Sequence, residues 1–284
     1  MANPGEATGG RAAVIGGGTM GAGIAQVLLE AGCEVVVVEA DEEAAERARA
    51  RIVDGLGRRK NVDPDELEAR ADRLRTASGL DLPLDVDLVV EAIPEIPGAK
   101  RDLLAAAEKV TRPTTLLASN TSSLSITELA GALERPERFI GMHFFNPVPL
   151  SALVELVVGD STARETVDDA RRWVGLLGLE SIEVRDAPGF ATSRLGVTLG
   201  LEAIRMVEEG VATPSDIDTG MVLGYKHPMG PLRLTDLVGL DVRLAIAEHL
   251  AATLGPRFEP PQLMRDKVAK GELGKKSGRG FYDW

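Results

Sequence analysis

The sequence predicts an α/β fold in which a doubly wound sheet is followed by an all-helical C-terminal region. Three observations carry that reading. Apolar runs alternate with amphipathic segments from Arg11 onward, the rhythm of strands joined by crossover helices. A glycine-rich turn, GGGTMG, joins the first apolar run to the first helical segment. After Asp186 the alternation stops and only helical patterning follows.

The first unit of the rhythm is the most informative. An apolar strand from Ala12 to Ile15 leads through glycines into a helix from Thr19 to Glu30, closed by Gly32, and a second strand runs from Glu34 to Val38. Gly16, Gly18 and Gly21 fit the G-x-G-x-x-G spacing of a Rossmann-type dinucleotide site. The first glycine permits the tight turn, the second lets a pyrophosphate approach the backbone, and the third lets helix and strand pack closely. The helix start, with Thr19 and Met20, offers backbone N–H groups and a partial positive charge to phosphate. Glu39 ends the second strand, where a carboxylate can accept both adenine-ribose hydroxyls and repel a 2′-phosphate. The predicted cofactor is therefore NAD rather than NADP.

The remaining elements follow in order. A charged helix is expected from Glu42 to Lys60 and a short one from Pro64 to Ala71. Strands are expected from Leu88 to Ile93, Thr115 to Ser119 and Phe139 to His143, with a helix from Lys100 to Val110. A parallel sheet places its ligand beyond the strand C-termini, and Glu91, Ser119, Asn120 and His143 fall at or beyond such ends. Beyond the PGF stretch, helices are expected from Arg194 to Glu209, Pro214 to Leu223 and Leu232 to Leu254, the last broken near Gly239.

With 284 residues, 44% apolar and 27% charged, the chain suits one large domain or two modest ones. The expected division is a flexible tail over 1–10, a nucleotide-binding domain over 11–186 and a helical domain over 187–284. A net charge of −12 argues against nucleic acid, which needs a basic face, but not against a small anion met by a few local cations. The single cysteine, Cys33, excludes an intrachain disulfide, fits a reducing cytoplasmic setting and reads as a small buried hydrophobe. The opening MANPGEATGG lacks the basic and apolar regions of a signal peptide. No apolar run approaches the roughly 18 residues of a membrane helix, and no His/Cys/Asp cluster has metal-site spacing.

The segment HFFNP, residues 143–147, sets one of only 3 histidines beside two phenylalanines. Alone it fits a buried structural ring as well as a base. A set of separated motifs decides the matter: GGGTMGAGIAQ, EAIPE, LASNTSSLSIT, IGMHFFNPVP, LVELV, PGFATSRL, HPMGPLRLTDLVGLD and GKKSGRGFYDW. In this order, from about Arg11 to Trp284, they resemble the L-3-hydroxyacyl-CoA dehydrogenase family, particularly its short bacterial 3-hydroxybutyryl-CoA dehydrogenases.

That resemblance implies hydride exchange between C3 of a 3-hydroxyacyl-CoA thioester and NAD, in a homodimer formed through the helical domain. It implies His143 as catalytic base and Glu155 as its carboxylate partner, a role imidazole suits because its ordinary pKa lies near working pH. Ser122 matches the serine that hydrogen-bonds the substrate's C3 oxygen, and Asn146 an amide facing the substrate. Glu95 and Lys100 match positions at the nicotinamide half of the cofactor, and Asn120 is a further cofactor-binding candidate. Arg58, in the basic run Arg58-Arg59-Lys60, is the candidate for the CoA phosphates. Helix capping competes for the NTSS hydroxyls, with Ser125 or Ser123 expected to open the helix at ITELA.

The pattern departs at Ser193, where relatives carry an asparagine that holds the substrate oxygen. Serine is shorter and offers one donor in place of two. The departure motivates one further reading, the same redox chemistry on an acyl-carrier-protein thioester or free hydroxy acid; a reading from another class, independent of Ser193, is a non-catalytic NAD-binding structural protein that keeps the fold.

Overall fold

A computed structural model describes residues 9–59, 63–80 and 85–284. Residues 1–8 of the expected tail, and Lys60, lie outside them. The chain divides into two compact units, Met1–Asp186 and Ala187–Trp284.

The first unit is built on one eight-stranded sheet. Strand β1 (Gly9–Ile15) and helix α1 (Thr19–Glu30) are followed by β2 (Cys33–Glu39), α2 (Glu42–Gly57), α3 (Pro64–Asp72) and β3 (Leu74–Ser78). Next come β4 (Leu88–Glu91), α4 (Pro97–Val110), β5 (Leu116–Ser119), α5 (Ile126–Ala130) and β6 (Phe139–Phe144). The unit closes with β7 (Leu153–Val158), α6 (Arg164–Leu176) and β8 (Glu180–Arg185). The strand order is β3-β2-β1-β4-β5-β6-β7-β8, so the order reverses between β1 and β4, where a doubly wound sheet opens its ligand crevice.

Three expectations are corrected. Gly9 and Gly10 belong to β1, not to a tail. They are glycine because a Cβ at Gly9 would stand 2.8 Å from Cys33 Sγ, and one at Gly10 would stand 2.7 Å from Asp87 Oδ2. The sheet is not wholly parallel, since β7 runs antiparallel to β6. The connection over 145–152 is too short for a crossover, which takes a dozen residues or more. Helix α2 ends at Gly57 rather than continuing to Lys60.

The core of this unit is the buried face of α1 on the strands, with Ile24, Leu28, Val14, Val90 and Ile140 inaccessible to solvent. Cys33 is equally inaccessible, and burial pushes its thiol up to about 11, so it stays protonated and inert at neutral pH. Ser125, not Ser123, caps α5 by accepting from Glu128 N at 3.1 Å.

The second unit is helical: α7 (Thr192–Glu208), α8 (Pro214–Thr219), α9 (Pro231–Val238), α10 (Leu240–Leu254) and α11 (Gln262–Ala269). Helices α9 and α10 meet at Gly239, whose φ of 107° only glycine adopts without strain. Its core gathers Val197, Leu201, Ile204, Leu232, Leu250 and Met264. No helix among the described residues is long and apolar enough to cross a membrane.

Candidate active site

The glycine turn lies at the order reversal. Gly16 has φ 97° and its N–H donates to Val38 O at 2.8 Å, while Ala92 N donates to Ile15 O at 2.8 Å, joining the ends of β1, β2 and β4. The three fingerprint glycines differ in what a side chain would meet. A Cβ at Gly21 would stand 1.7 Å from Gly16 O, so helix and turn touch. A Cβ at Gly18 would meet nothing within 4 Å. That open position sits at the N-terminus of α1, which no side chain caps, so its backbone donors suit a phosphate.

Glu39 closes the other side of the turn, with Oε1 accepting Gly17 N at 2.7 Å. Arg51 donates to Gly17 O at 2.6 Å, so both polar groups of that glycine are held by side chains. The donor set of the turn and the half-buried Glu39 carboxylate fit a dinucleotide with a free ribose diol.

Beyond β4 and β5 lies a polar cluster. Glu95 Oε1 accepts from Thr121 Oγ1 at 2.6 Å, Ser122 N at 2.8 Å and Ser123 N at 3.3 Å. Burial works against the Glu95 charge. The Lys100 ammonium 3.1 Å away and the hydrogen bonds from Thr121 and Ser122 outweigh it and hold the carboxyl below the usual glutamate range. Lys100 is itself fully buried, its Nζ also 2.5 Å from Glu91 Oε1. Asn120 Oδ1 accepts Phe144 N at 2.9 Å, tying the segment after β5 to the strand that carries His143.

His143 and Glu155 face each other across the antiparallel β6–β7 pair. His143 Nδ1 is 2.7 Å from Glu155 Oε2, with the glutamate wholly buried and the histidine nearly so. The contact fixes the imidazole's orientation, and Nδ1 is the donor in it whenever Glu155 is ionised, because a carboxylate only accepts. Phe145 stacks at a tilt on the imidazole, centroids 4.7 Å apart. Alternation along the strands makes this register decisive, because a slip by one residue would turn either side chain to the other face.

A cleft of 480 Å³ lies between α1, α2 and the segment after β6, lined among others by Thr19, Gln26, Arg51, Arg58, Asn146 and Val148. Arg58 is exposed and paired with Asp54 at 2.7 Å. Arg59, its neighbour, is committed to Glu30 by two hydrogen bonds of 2.9 and 2.6 Å. Ser193 belongs to the other unit, half-buried in the first turn of α7.

Arg51, Glu91 and Ser119 take part in this architecture without having been singled out as site residues. Arg51 had a signal, since it stands seven residues before Arg58 on one helical face. Glu91 and Ser119 were marked only by their places at strand ends.

A profile of the 3-hydroxyacyl-CoA dehydrogenase NAD binding domain matches residues 11–187, and one of the 3-hydroxyacyl-CoA dehydrogenase C-terminal domain matches residues 189–284. The chain belongs to the 3-hydroxyacyl-CoA dehydrogenase family. It is 43% identical over 275 residues to the probable 3-hydroxybutyryl-CoA dehydrogenase of Bacillus subtilis, a match covering 95% of this chain and 96% of the other. It is 41% identical to the mitochondrial hydroxyacyl-coenzyme A dehydrogenase of Rattus norvegicus, over 95% and 90% of the two chains. The crystal structure of (S)-3-hydroxybutyryl-CoA dehydrogenase from Ralstonia eutropha is similar with a TM-score of 0.92 at 38% identity, over 96% and 98% of the chains. As a member of the 3-hydroxyacyl-CoA dehydrogenase family, the protein is an NAD-dependent oxidoreductase.

Proposed function

We propose that the protein interconverts L-3-hydroxyacyl-CoA and 3-ketoacyl-CoA, with short chains such as 3-hydroxybutyryl- and acetoacetyl-CoA as its substrates. The buried His143–Glu155 pair carries this reading. In the oxidative direction, His143 Nε2 takes the C3 hydroxyl proton while the C3–H bond breaks and the C3–O bond becomes a carbonyl. NAD, when bound, supplies the hydride acceptor. Glu155 accepts from Nδ1–H throughout and stabilises the imidazolium that forms. In the reductive direction the imidazolium returns the proton to the carbinol oxygen.

The other roles follow. Ser122, Asn146 and Ser193 orient the substrate oxygen and acyl group. Gly16, Gly18, Thr19, Met20 and Gly21 receive the pyrophosphate, Glu39 the adenine ribose, Glu95 and Lys100 belong to the nicotinamide half, and Asn120 lies on the cofactor side. Arg58 meets the CoA phosphates at the cleft beside α2. The helical unit leaves Leu195, Leu223 and Val242 exposed, which supports a homodimer formed through it. The buried, unreactive Cys33 suits the cytoplasm.

The test is loss of NADH absorbance with acetoacetyl-CoA, repeated with NADPH and with His143→Ala. Turnover specific to NADH, falling by about a thousandfold in the variant, is expected. No turnover of any 3-ketoacyl-CoA would overturn the proposal. Ser193 motivates one second reading, an acyl-carrier-protein thioester or free hydroxy acid as substrate. Faster turnover of those than of acetoacetyl-CoA would favour it.

A further inference from the structure

The function proposed above gives Ser122 and Glu95 their roles, and on that basis we infer that Glu91 and Ser119 are positioning residues that fix the turn carrying Ser122. Glu91 ends β4 with no solvent exposure, so its carboxylate must be satisfied from within. Oε1 accepts from Lys100 Nζ at 2.5 Å and Ile93 N at 2.7 Å, and Oε2 accepts from Ser119 Oγ at 2.5 Å. Lys100, 1% exposed, spends its three hydrogens on Glu91, on Ile93 O at 3.1 Å and on Glu95 Oε2 at 3.1 Å.

Two routes then run from Glu91 to the same turn. One passes through Lys100 to Glu95, whose Oε1 receives Thr121 Oγ1 and the Ser122 and Ser123 N–H groups. The other passes through Ser119, whose Oγ accepts Thr121 N at 3.2 Å. Fold stability alone does not call for this arrangement. Strands β4 and β5 are already paired through Glu91↔Ser119, and Asn120 N donates to Glu91 O at 2.8 Å. Apolar side chains in place of a buried ion pair are often as stable or more so. What the ions add is direction. They anchor the Thr121–Ser123 turn at two points on its inner side, with one surplus negative charge held at its edge on Glu95.

The experiment uses the full chain with Glu91→Gln, Ser119→Ala, Glu95→Gln and the Glu91→Gln/Glu95→Gln pair. The readouts are kcat and KM with acetoacetyl-CoA and NADH, thermal melting, and amide hydrogen exchange at Ser122 and Ser123. Glu91→Gln and Ser119→Ala should each lower kcat about tenfold, with KM changed by less than about twofold. Exchange at the two serine amides should rise about tenfold. The double variant should lose less than the product of the two single losses, because one of the two routes from Glu91 passes through Glu95 while the other, through Ser119, does not. Native kcat and native exchange in Glu91→Gln, or losses that multiply in the double variant, would overturn the inference. If Glu91→Gln fails to fold, Ser119→Ala decides by the same criteria. Absence of wild-type turnover would refute the proposed function, while the exchange rates would still judge the positioning.

Discussion

In the α/β unit the buried charges come in matched sets, whereas the helical unit buries a cation, Arg243, without an ion pair among the described residues. Glu91 meets Lys100, Glu155 meets His143, and Glu108 meets Arg135 together with the N–H groups of Glu134 and Arg135. Arg243 packs its guanidinium against Gly196 instead, its Nε lacks an acceptor, and burial pushes its pKa down. The buried acids of the helical unit are satisfied mostly by backbone. Asp218 receives Leu232 N and Arg233 N at the start of α9, and Asp236 receives Phe281 N, Tyr282 N and Trp284 Nε1 from the C-terminal segment. In the α/β unit the partner comes from a neighbouring strand, helix or loop. Where the helices gather charge, it pins a helix end or a tail.

The contrast can be broken from either side. Lys100→Met leaves Glu91 buried without its cation and should cost about 3–5 kcal/mol of stability in chemical denaturation. A loss under about 1 kcal/mol would mean that water or a rearranged loop takes over. Asp236→Ala removes the acceptor of three donors at once and should cost about 2–3 kcal/mol, with faster hydrogen exchange at Phe281 and Tyr282. Arg243→Met should have the opposite sign, raising stability by about 1 kcal/mol, because an apolar side chain of similar length replaces an unpaired charge. If Arg243→Met instead lowers stability, the guanidinium makes a net favourable contact in the folded protein.

The smallest effect concerns pH. Glu95 has its folded pKa below the ordinary glutamate value, so its ionised form is favoured by folding. Its contribution is present above the unfolded pKa of about 4.3 and is lost as pH falls through the lower folded value. Glu95→Gln should flatten that acid limb of the stability profile. An unchanged limb would mean that the carboxylate is not held by Lys100 in solution.

The sequence carried much of this fold because its central elements obey two independent constraints. The run from Ala12 to Gly21 had to be a strand, a positive-φ turn and a helix, and each requirement left its own residue type. The edge strands left weaker traces. Strand β3 reads LRTAS, with one buried residue, and β8 reads ESIEVR, charged and largely exposed, and neither resembles an apolar run. The direction of β7 is set by the length of its connection, which periodicity does not report. The contact of His143 with Glu155 depends on strand register, and the burial of Lys100 depends on which way the start of α4 faces. Neither is written in residue types. Ser125 could be told from Ser123 as the cap only once the helix start was fixed.

Glu39 has a consequence for redesign. One of its carboxylate oxygens is already engaged by Gly17 N, and the same glycine's carbonyl is engaged by Arg51. With Glu39 at the adenine ribose as proposed above, a substitution there intended to admit a 2′-phosphate also removes the acceptor of the Gly17 N–H, which couples recognition of the sugar to the shape of the phosphate cradle. Exchanging the cofactor of this enzyme calls for a replacement acceptor to Gly17 introduced together with the new specificity, and a single-site exchange is expected to weaken both dinucleotides.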